Sequence, residues 1–430
     1  MGLIRRVHHL QFACQDLWNM CRAFTSGLGF KFHSFMKHES QYSVALGNGS
    51  CMLVLNQTTG PPIHWRIQPS ELSRKLTDSY AHRQMPFDIA LEVQDVSDVC
   101  TRVRHLKGTD WVLVEPLVCS DNRGRITMAV IKSCIGNLFH TLLDTSQYDG
   151  PLLPGFTQPE VGVGPKIARE LQQCTVHSDC ASPVFEVARE LQQCTVHSDC
   201  ASPVFRHLDH IALACNTGES DSVIQWYKEV FGMKRVAANI LDDPNDGFLV
   251  EYGHTGMKLK AAGYTETLTD ACTFVLVEPL EGSAPNQVTR FLDANGGPGI
   301  QHVGFAVDDI FIAVDSCKAR GTSFVTPPQS YYDAISQIPS FARCPVNIQQ
   351  LRRSGVLLDP DICPDQSGSK DPVMLLQIFT APLFERDAFF VELIQRCGGA
   401  SGFGAGNILA LWRALEDSLA SGDQQQQDPG

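Results

Sequence analysis

Alternation between apolar and polar positions sets the chain out as pairs of similar modules. "VHHLQFACQDLWNMCRAFTSGLGFKF" (7–32) and "LDHIALACNTGESDSVIQWYKEVFGMKRV" (208–236) each read as an alternating strand, a turn, an amphipathic helical stretch carrying an aromatic, then Gly and another strand. A second pair repeats the plan through an Asp-rich turn: "FDIALEVQDVSDVCTRVRHLKGTDWV" (87–112) and "QHVGFAVDDIFIAVDSCKARGTSFV" (301–325). Four strand-and-helix modules, two per half, predict a duplicated α+β architecture whose strands curve around a central cleft. The halves are joined by residues 151–205, which begin with the Pro/Gly-rich linker "PLLPGFTQPEVGVGP".

That linker holds a finer repeat. "ARELQQCTVHSDCASPVF" stands at 168–185 and again, letter for letter, at 188–205, the mark of a recent tandem duplication or of a sequence-assembly error. Each copy spaces Cys, His and Cys three residues apart (Cys174, His177, Cys180; Cys194, His197, Cys200). Three ligands without paired-Cys knuckles fall short of a closed zinc site, so the segment reads as an exposed insertion between domains.

Composition adds little beyond exclusion. With 430 residues, 43% hydrophobic and 19% charged, the chain has the makings of two or more cores. A net charge of −13 argues against nucleic acid or an anionic membrane as the main partner. Apolar runs such as "TFVLVEPL" are cut by Glu and Pro, so no transmembrane helix is expected. Sixteen scattered cysteines read as reduced thiols of an intracellular compartment. Arg5 and Arg6, with no acid before Asp16, give the start a faint mitochondrial-targeting character, although strand pattern resumes at Val7.

The candidate chemistry begins with one carboxylate. Phe389 to Gln395 is apolar or amide at every position except Glu392, and a buried carboxylate needs a proton or a cation. Arg396, four residues along the strand, lies roughly 13 Å away at ~3.3 Å per residue, too far to pair with it. Two histidines stand at equivalent places at the start of the second half's modules, His210 in "LDHIALAC" and His302 in "GIQHVGFAV". Each alone has an ordinary reading, as a hydrogen-bonded His at a strand edge or an exposed Glu at a strand end. Together, two His and one carboxylate on three strands form the facial triad of non-haem iron(II) oxygenases. The first half offers His9, Asp88 and His140 at corresponding places, in scrambled order, and is read as structural support.

The motifs around these residues carry a resemblance. "GGPGIQHVGFAVDDI", "PPQSYY", "LLQIFT", "FFVELIQR" and "GFGAGN", with "GPLLPGF" at the end of the first half, resemble the signatures of the 4-hydroxyphenylpyruvate dioxygenase family of the vicinal oxygen chelate superfamily. The likeness spans nearly the whole chain. It implies four βαβββ-type modules in two domains, each an open curved barrel-like sheet: 1–150 without metal, the 151–205 linker, a catalytic 206–400, and 401–430 as Gly hinge, lid helix and polar tail. It also implies Fe(2+) on His210, His302 and Glu392, an aromatic 2-oxo acid and O2 as small-molecule partners, and a homodimer as the assembly to test.

By the same resemblance Gln301 and Gln377 are catalytic residues on the substrate and O2 side, and Phe379 and Phe403 clamp the substrate ring. Phe390 shares the strand face of Glu392, and Gln287 reaches toward the ring hydroxyl. The segment "TFVLVEPLEGSAPNQ" departs from the family: it is short, has Thr273 where Ser is expected, and lacks a clear counterpart to the Asn of "NEP". A pocket without those polar groups would reposition the phenol. That puts ring hydroxylation to homogentisate in doubt and makes side-chain hydroxylation plausible; in detail the chain resembles a branch of the family associated with mitochondria and with making 4-hydroxymandelate for the ubiquinone head group, a cytoplasmic location being the alternative. The competing readings are a homogentisate-forming dioxygenase of tyrosine catabolism, a catalytically weak metal-binding paralogue, and a zinc or nickel lyase or isomerase of the superfamily. The glycines of "GGASGFGAGN" fail the dinucleotide-binding spacing and read instead as a hinge for a lid helix with apolar positions Ile408, Leu411, Leu415 and Leu419.

Overall fold

The computed structural model of the protein describes residues 3–14, 16–38, 41–57, 84–158, 203–239, 241–264, 272–338, 341, 344–359, 373–384, 389–404 and 406–408. The linker repeat, save its last three residues, and the lid helix beyond Ile408 lie outside the described residues. The chain divides into two compact units, one built on residues 1–204 and the other on 205–430, with short exchanges at 229–232 and 319–322. The expected α+β duplication is what the chain forms: each unit is one curled sheet backed by helices.

The first sheet contains β1 (Ile4–Cys14), β2 (Lys31–His38), β3 (Gln41–Asn48), β4 (Cys51–Gln57), β5 (Met85–Val93), β6 (Val112–Asp121), β7 (Gly124–Lys132) and β8 (Phe139–Tyr148). Their order is β2-β3-β4-β1-β5-β8-β7-β6. The second contains β9 (Phe205–Ala214), β10 (Lys234–Val236), β11 (Phe248–Tyr252), β12 (Thr255–Gly263), β13 (Thr273–Pro279), β14 (Gly299–Val307), β15 (Leu357–Asp359), β16 (Met374–Phe379) and β17 (Phe390–Cys397). Their order is β10-β12-β13-β9-β14-β17-β16-β15, with β11 paired to β12. In both sheets the strands that open the two modules run antiparallel at the centre, β1 against β5 and β9 against β14.

One face of each sheet is covered by amphipathic helices. The helix Val96–Lys107, capped by the Asp95 carboxylate, buries Val96, Val99, Cys100 and Val103. The helix Ser220–Phe231 brings Tyr227 edge-on to Phe274 of β13, 5.1 Å between ring centres. No helix among the described residues is long and apolar enough to cross a membrane.

The other face is treated differently in the two units. In the first it is filled: Leu152, Leu153 and Phe156, from the segment after β8, pack onto Met36, Ala45, Val54, Ala90, Met128 and Leu143. A mutual pair of backbone hydrogen bonds between Phe35 and Thr157 holds that segment in place. In the second unit the segment after β17 contributes Phe403, whose N–H donates to the Ala238 carbonyl.

Both central strand pairs carry matched bulges, and these set the site. Pairing of β9 with β14 skips Asp209 and Gln301, the residues just before His210 and His302. Pairing of β1 with β5 skips His8 and Phe87, just before His9 and Asp88. A bulge breaks the strict alternation of faces, so two neighbouring side chains can approach each other.

Candidate active site

A single row of residues crosses the second sheet. Thr273 on β13 lies beside His210 on β9, His210 opposite Gly304 on β14, Gly304 beside Glu392 on β17, and Glu392 opposite Phe379 on β16. Where the row crosses β14 there is no side chain, and a Cβ on Gly304 would stand 2.3 Å from the His210 ring. His302 enters from the next row, beside Phe390 and opposite Ala212.

The three side chains converge. His210 Nε2 lies 3.3 Å from His302 Nε2 and 3.2 Å from Glu392 Oε2, and His302 Nε2 lies 3.5 Å from the same oxygen. Among the described residues this is the one group of three or more His, Cys, Asp or Glu with metal-ligand spacing. Donors bound at ~2.1 Å stand about 3.0 Å apart at a right angle and about 3.4 Å apart at a tetrahedral angle. The observed sides of 3.2 to 3.5 Å lie around the tetrahedral value and a few tenths of an ångström above the right-angle one, so the spacing is close to what a cation requires. Glu392 is 1% exposed and its Oε1 has no hydrogen-bond partner, the state of a carboxylate whose counter-charge is a ligand. Neutral imidazoles with one carboxylate suit a borderline divalent metal such as iron(II).

Electrostatics make the same triangle attractive to positive charge. Burial alone would lower the His210 pKa, but the Glu392 charge and the bonds to Asp209 and Glu392 raise it to about 9. Burial lowers that of His302, and the neighbouring His210 lowers it further against the pull of Glu392. Burial pushes Glu392 upward, yet the two histidines hold it below the usual carboxylate range. The Glu392 charge thus favours positive charge at His210, while burial and the neighbouring His210 disfavour it at His302.

Each imidazole is fixed from behind by its bulge neighbour. Asp209 Oδ1 accepts from His210 Nδ1 at 2.8 Å, leaving Nε2 free to face the other donors. Gln301 Oε1 accepts from His302 Nδ1 at 3.2 Å in the same way. Gln301 thus stands behind the ring and orients it, which differs from its expected place on the substrate side.

Most of the remaining expected residues are brought together. Phe390 stacks on His302 at 4.6 Å and 18°, Phe379 approaches the same ring edge-on at 6.2 Å, and Phe403 meets His210 edge-on at 5.3 Å. Gln377 lies on the strand face of Phe379, opposite Ile394; it is wholly buried, and neither its amide nitrogen nor its oxygen has a partner. Gly404 closes on it, where a Cβ would fall 1.7 Å from Gln377 Oε1. Gln287 is not brought in: it is exposed at the first turn of the helix Gln287–Asn295, and its amide donates to the Met257 sulfur at 3.9 Å. Beyond Thr273 the same face of β13 presents Val275 and Val277, which join Met257, Leu259, Ala261 and Phe403 in one apolar cluster.

Two residues of the site went unrecognised in the sequence. Arg396, dismissed above as a partner for Glu392, is the fork that holds Asp209: Nε donates to Oδ2 at 2.7 Å and Nη2 to Oδ1 at 2.8 Å. The signal was an acid next to a candidate ligand in "LDH" and an arginine in the largely apolar strand that also carries Glu392. In the first unit, register corrects the third position. Asp88 lies beside Phe139 as His302 lies beside Phe390, so Thr141, not His140, stands where Glu392 does. His140 faces the opposite side, with Nδ1 on the Ile89 carbonyl.

Comparison with known proteins gives the family and the fold. Residues 207–338 match the model of the "Glyoxalase/Bleomycin resistance protein/Dioxygenase superfamily". The chain is 30% identical over 425 residues to the 4-hydroxyphenylpyruvate dioxygenase-like protein of Rattus norvegicus, covering 97% of each chain. It is 28% identical to the 4-hydroxyphenylpyruvate dioxygenase of Yarrowia lipolytica, covering 87% of this chain and 81% of that one. Among solved structures, a mutant 4-hydroxymandelate synthase from Streptomyces coelicolor shares the fold, with TM-score 0.68 at 24% identity over 97% of this chain and 99% of that one. The chain belongs to the 4-hydroxyphenylpyruvate dioxygenase family of the vicinal oxygen chelate superfamily.

Proposed function

We propose that the protein is an iron(II)-dependent dioxygenase that converts 4-hydroxyphenylpyruvate and O2 to 4-hydroxymandelate and CO2. The observation that carries the reading is the converging triad of His210, His302 and Glu392 beside an aromatic wall and an unpaired amide. Relatives named for 4-hydroxyphenylpyruvate dioxygenase support the substrate. In the balanced reaction one oxygen atom enters the new carboxylate and the other the hydroxyl, as the former carboxylate leaves as CO2.

His210, His302 and Glu392 would hold the iron, which when bound would supply Lewis-acid binding of the 2-oxo acid and activation of O2. The protein's own part is placement. Phe379, Phe390 and Phe403 offer ring faces and edges to an aryl group. The Gln377 N–H groups have no internal acceptor and would donate to an oxygen of the substrate's oxo-acid end. Asp209 and Gln301 keep both imidazoles turned toward the metal.

The choice of 4-hydroxymandelate rests on β13. Beyond the Thr273 hydroxyl beside His210, Val275 and Val277 line the same face, so a phenol reaching along that wall meets hydrocarbon and no hydrogen bond. A ring held by contact alone is free to sit with its side-chain carbon, instead of its ring carbon, nearest the oxidant. Mass spectrometry of products from the iron(II)-loaded protein with 4-hydroxyphenylpyruvate and O2 tests this. Hydroxymandelate is expected; homogentisate would overturn the product assignment, and no product with iron bound would overturn the substrate.

A further inference from the structure

We infer that Arg396 is a positioning residue that couples the seating of the 398–404 turn to cation affinity at His210, His302 and Glu392; the inference rests on the metal reading above. The guanidinium divides its donors between two places. Nε and Nη2 form the fork on Asp209, which holds His210 Nδ1, while Nη1 donates to the carbonyls of Gly402 at 2.7 Å and Ala400 at 3.3 Å. The same cation lies 5.3 Å from the centre of the Phe403 ring, and Phe403 in turn meets the His210 ring. One side chain thus ties a metal ligand's orienting carboxylate to the turn that places Phe403 over that ligand and Gly404 against Gln377. Moving the turn loosens Arg396, and loosening Arg396 releases Asp209 from its planar, bidentate geometry.

The first unit shows that the fold does not require this link. By the register of the central strands His8 stands where Asp209 does, and counting from Phe139 and Phe390 places Thr145 where Arg396 is. There the segment after β8 is held by burial of Leu152, Leu153 and Phe156 and by the Phe35–Thr157 pair, with no ion pair to the sheet's central strands among the described residues. The Arg396 bridge therefore accompanies the unit with the site.

Coupling of two sites is reciprocal, and that gives the test. Full-length protein is titrated with cobalt(II), and amide hydrogen exchange of residues 398–404 is followed with and without the metal. In the native chain cobalt should slow exchange in the turn. Arg396→Met should weaken cobalt binding about tenfold or more, the usual effect of removing an outer partner of a ligand, and should abolish the cobalt-dependent slowing. Because that variant leaves Asp209 buried without its cation and can fail to fold, the double variant Asp209→Asn/Arg396→Met is measured beside it. It strands no charge, and the same loss of response is expected. Arg396→Lys, which keeps the charge but not the fork, should fall between. Cobalt-dependent protection that persists in the folded double variant would overturn the coupling, whatever the change in melting temperature. Failure of the native chain to bind cobalt would overturn the metal reading itself.

Discussion

The two units lay one sheet plan twice and end in opposite states of polar satisfaction. In the first, Asp88 accepts from the Thr141 N–H at 3.2 Å and hydroxyl at 2.8 Å, and Thr141 accepts from Gln11. Gln11 in turn accepts from Asn56, and Asn56 from Ser43. His9 turns to its neighbour His8, with their Nδ1 atoms 2.8 Å apart. The row closes on itself and Leu152, Leu153 and Phe156 cover it. In the second unit the same face leaves Glu392 Oε1 and, one row further on, both amide atoms of Gln377 without partners. Buried polar atoms are normally paired, so the unpaired ones mark where the fold has been kept short of its own best satisfaction.

The sharpest way to break the comparison is to give the second unit the first unit's residue. Glu392→Thr installs the counterpart of Thr141 between the two imidazoles. It removes the only anionic donor of the triangle, so iron or cobalt content after dialysis should fall to background, and turnover with it. A variant that still binds metal and turns over would show that the donor triangle is not the centre of the chemistry.

Gln377→Met is the next step down. Methionine keeps the length of the side chain and removes two buried polar atoms that have no partner in the protein. Leaving such groups unpaired costs about 1–3 kcal/mol, so the variant should be more stable to denaturant by a value in that range. If the amide donates to an ionised substrate, losing the bond should cost about 1.5–3 kcal/mol in transition-state binding, roughly tenfold to a hundredfold in kcat/KM. Equal stability with unchanged kinetics would mean the amide is neither strained nor used.

Much of this was legible in the sequence because it is periodic. The module pairs follow from alternation, and His210, His302 and Glu392 follow from equivalent places in repeated motifs. What stayed hidden depends on register. Bulges at Asp209 and Gln301 add one unpaired residue each, and no alternation pattern announces them. They are what turns a residue expected on the substrate side, Gln301, into a support behind His302. The misplacement of His140 has the same origin, since a shift of one residue on β8 exchanges the two faces of the sheet. Arg396 was tested against a carboxylate on its own strand, while its partner lies 187 residues away on β9.

The smallest effect on catalysis is expected where the first unit's row is altered. Asp88 is fully buried beside groups that can donate to it but carry no charge, and burial raises its pKa to about 6 against hydrogen bonds from Thr141 and Gln11 that lower it. The folded state therefore holds this proton more tightly than the unfolded chain does. Its contribution to stability is complete below the ordinary carboxyl value of 3.8 and is lost as pH rises through 6. Above that, keeping the bare carboxylate inside costs about 3 kcal/mol. Asp88→Asn keeps an acceptor for the Thr141 N–H and removes the charge. Relative to the native chain, its stability to denaturant should rise by up to about 3 kcal/mol at pH 7 and by little at pH 4, with metal content and kcat unchanged at both. A fall in metal binding would show that the first unit's row serves the site after all; a gain that is the same at every pH would show that Asp88 titrates alike in the folded and unfolded chain.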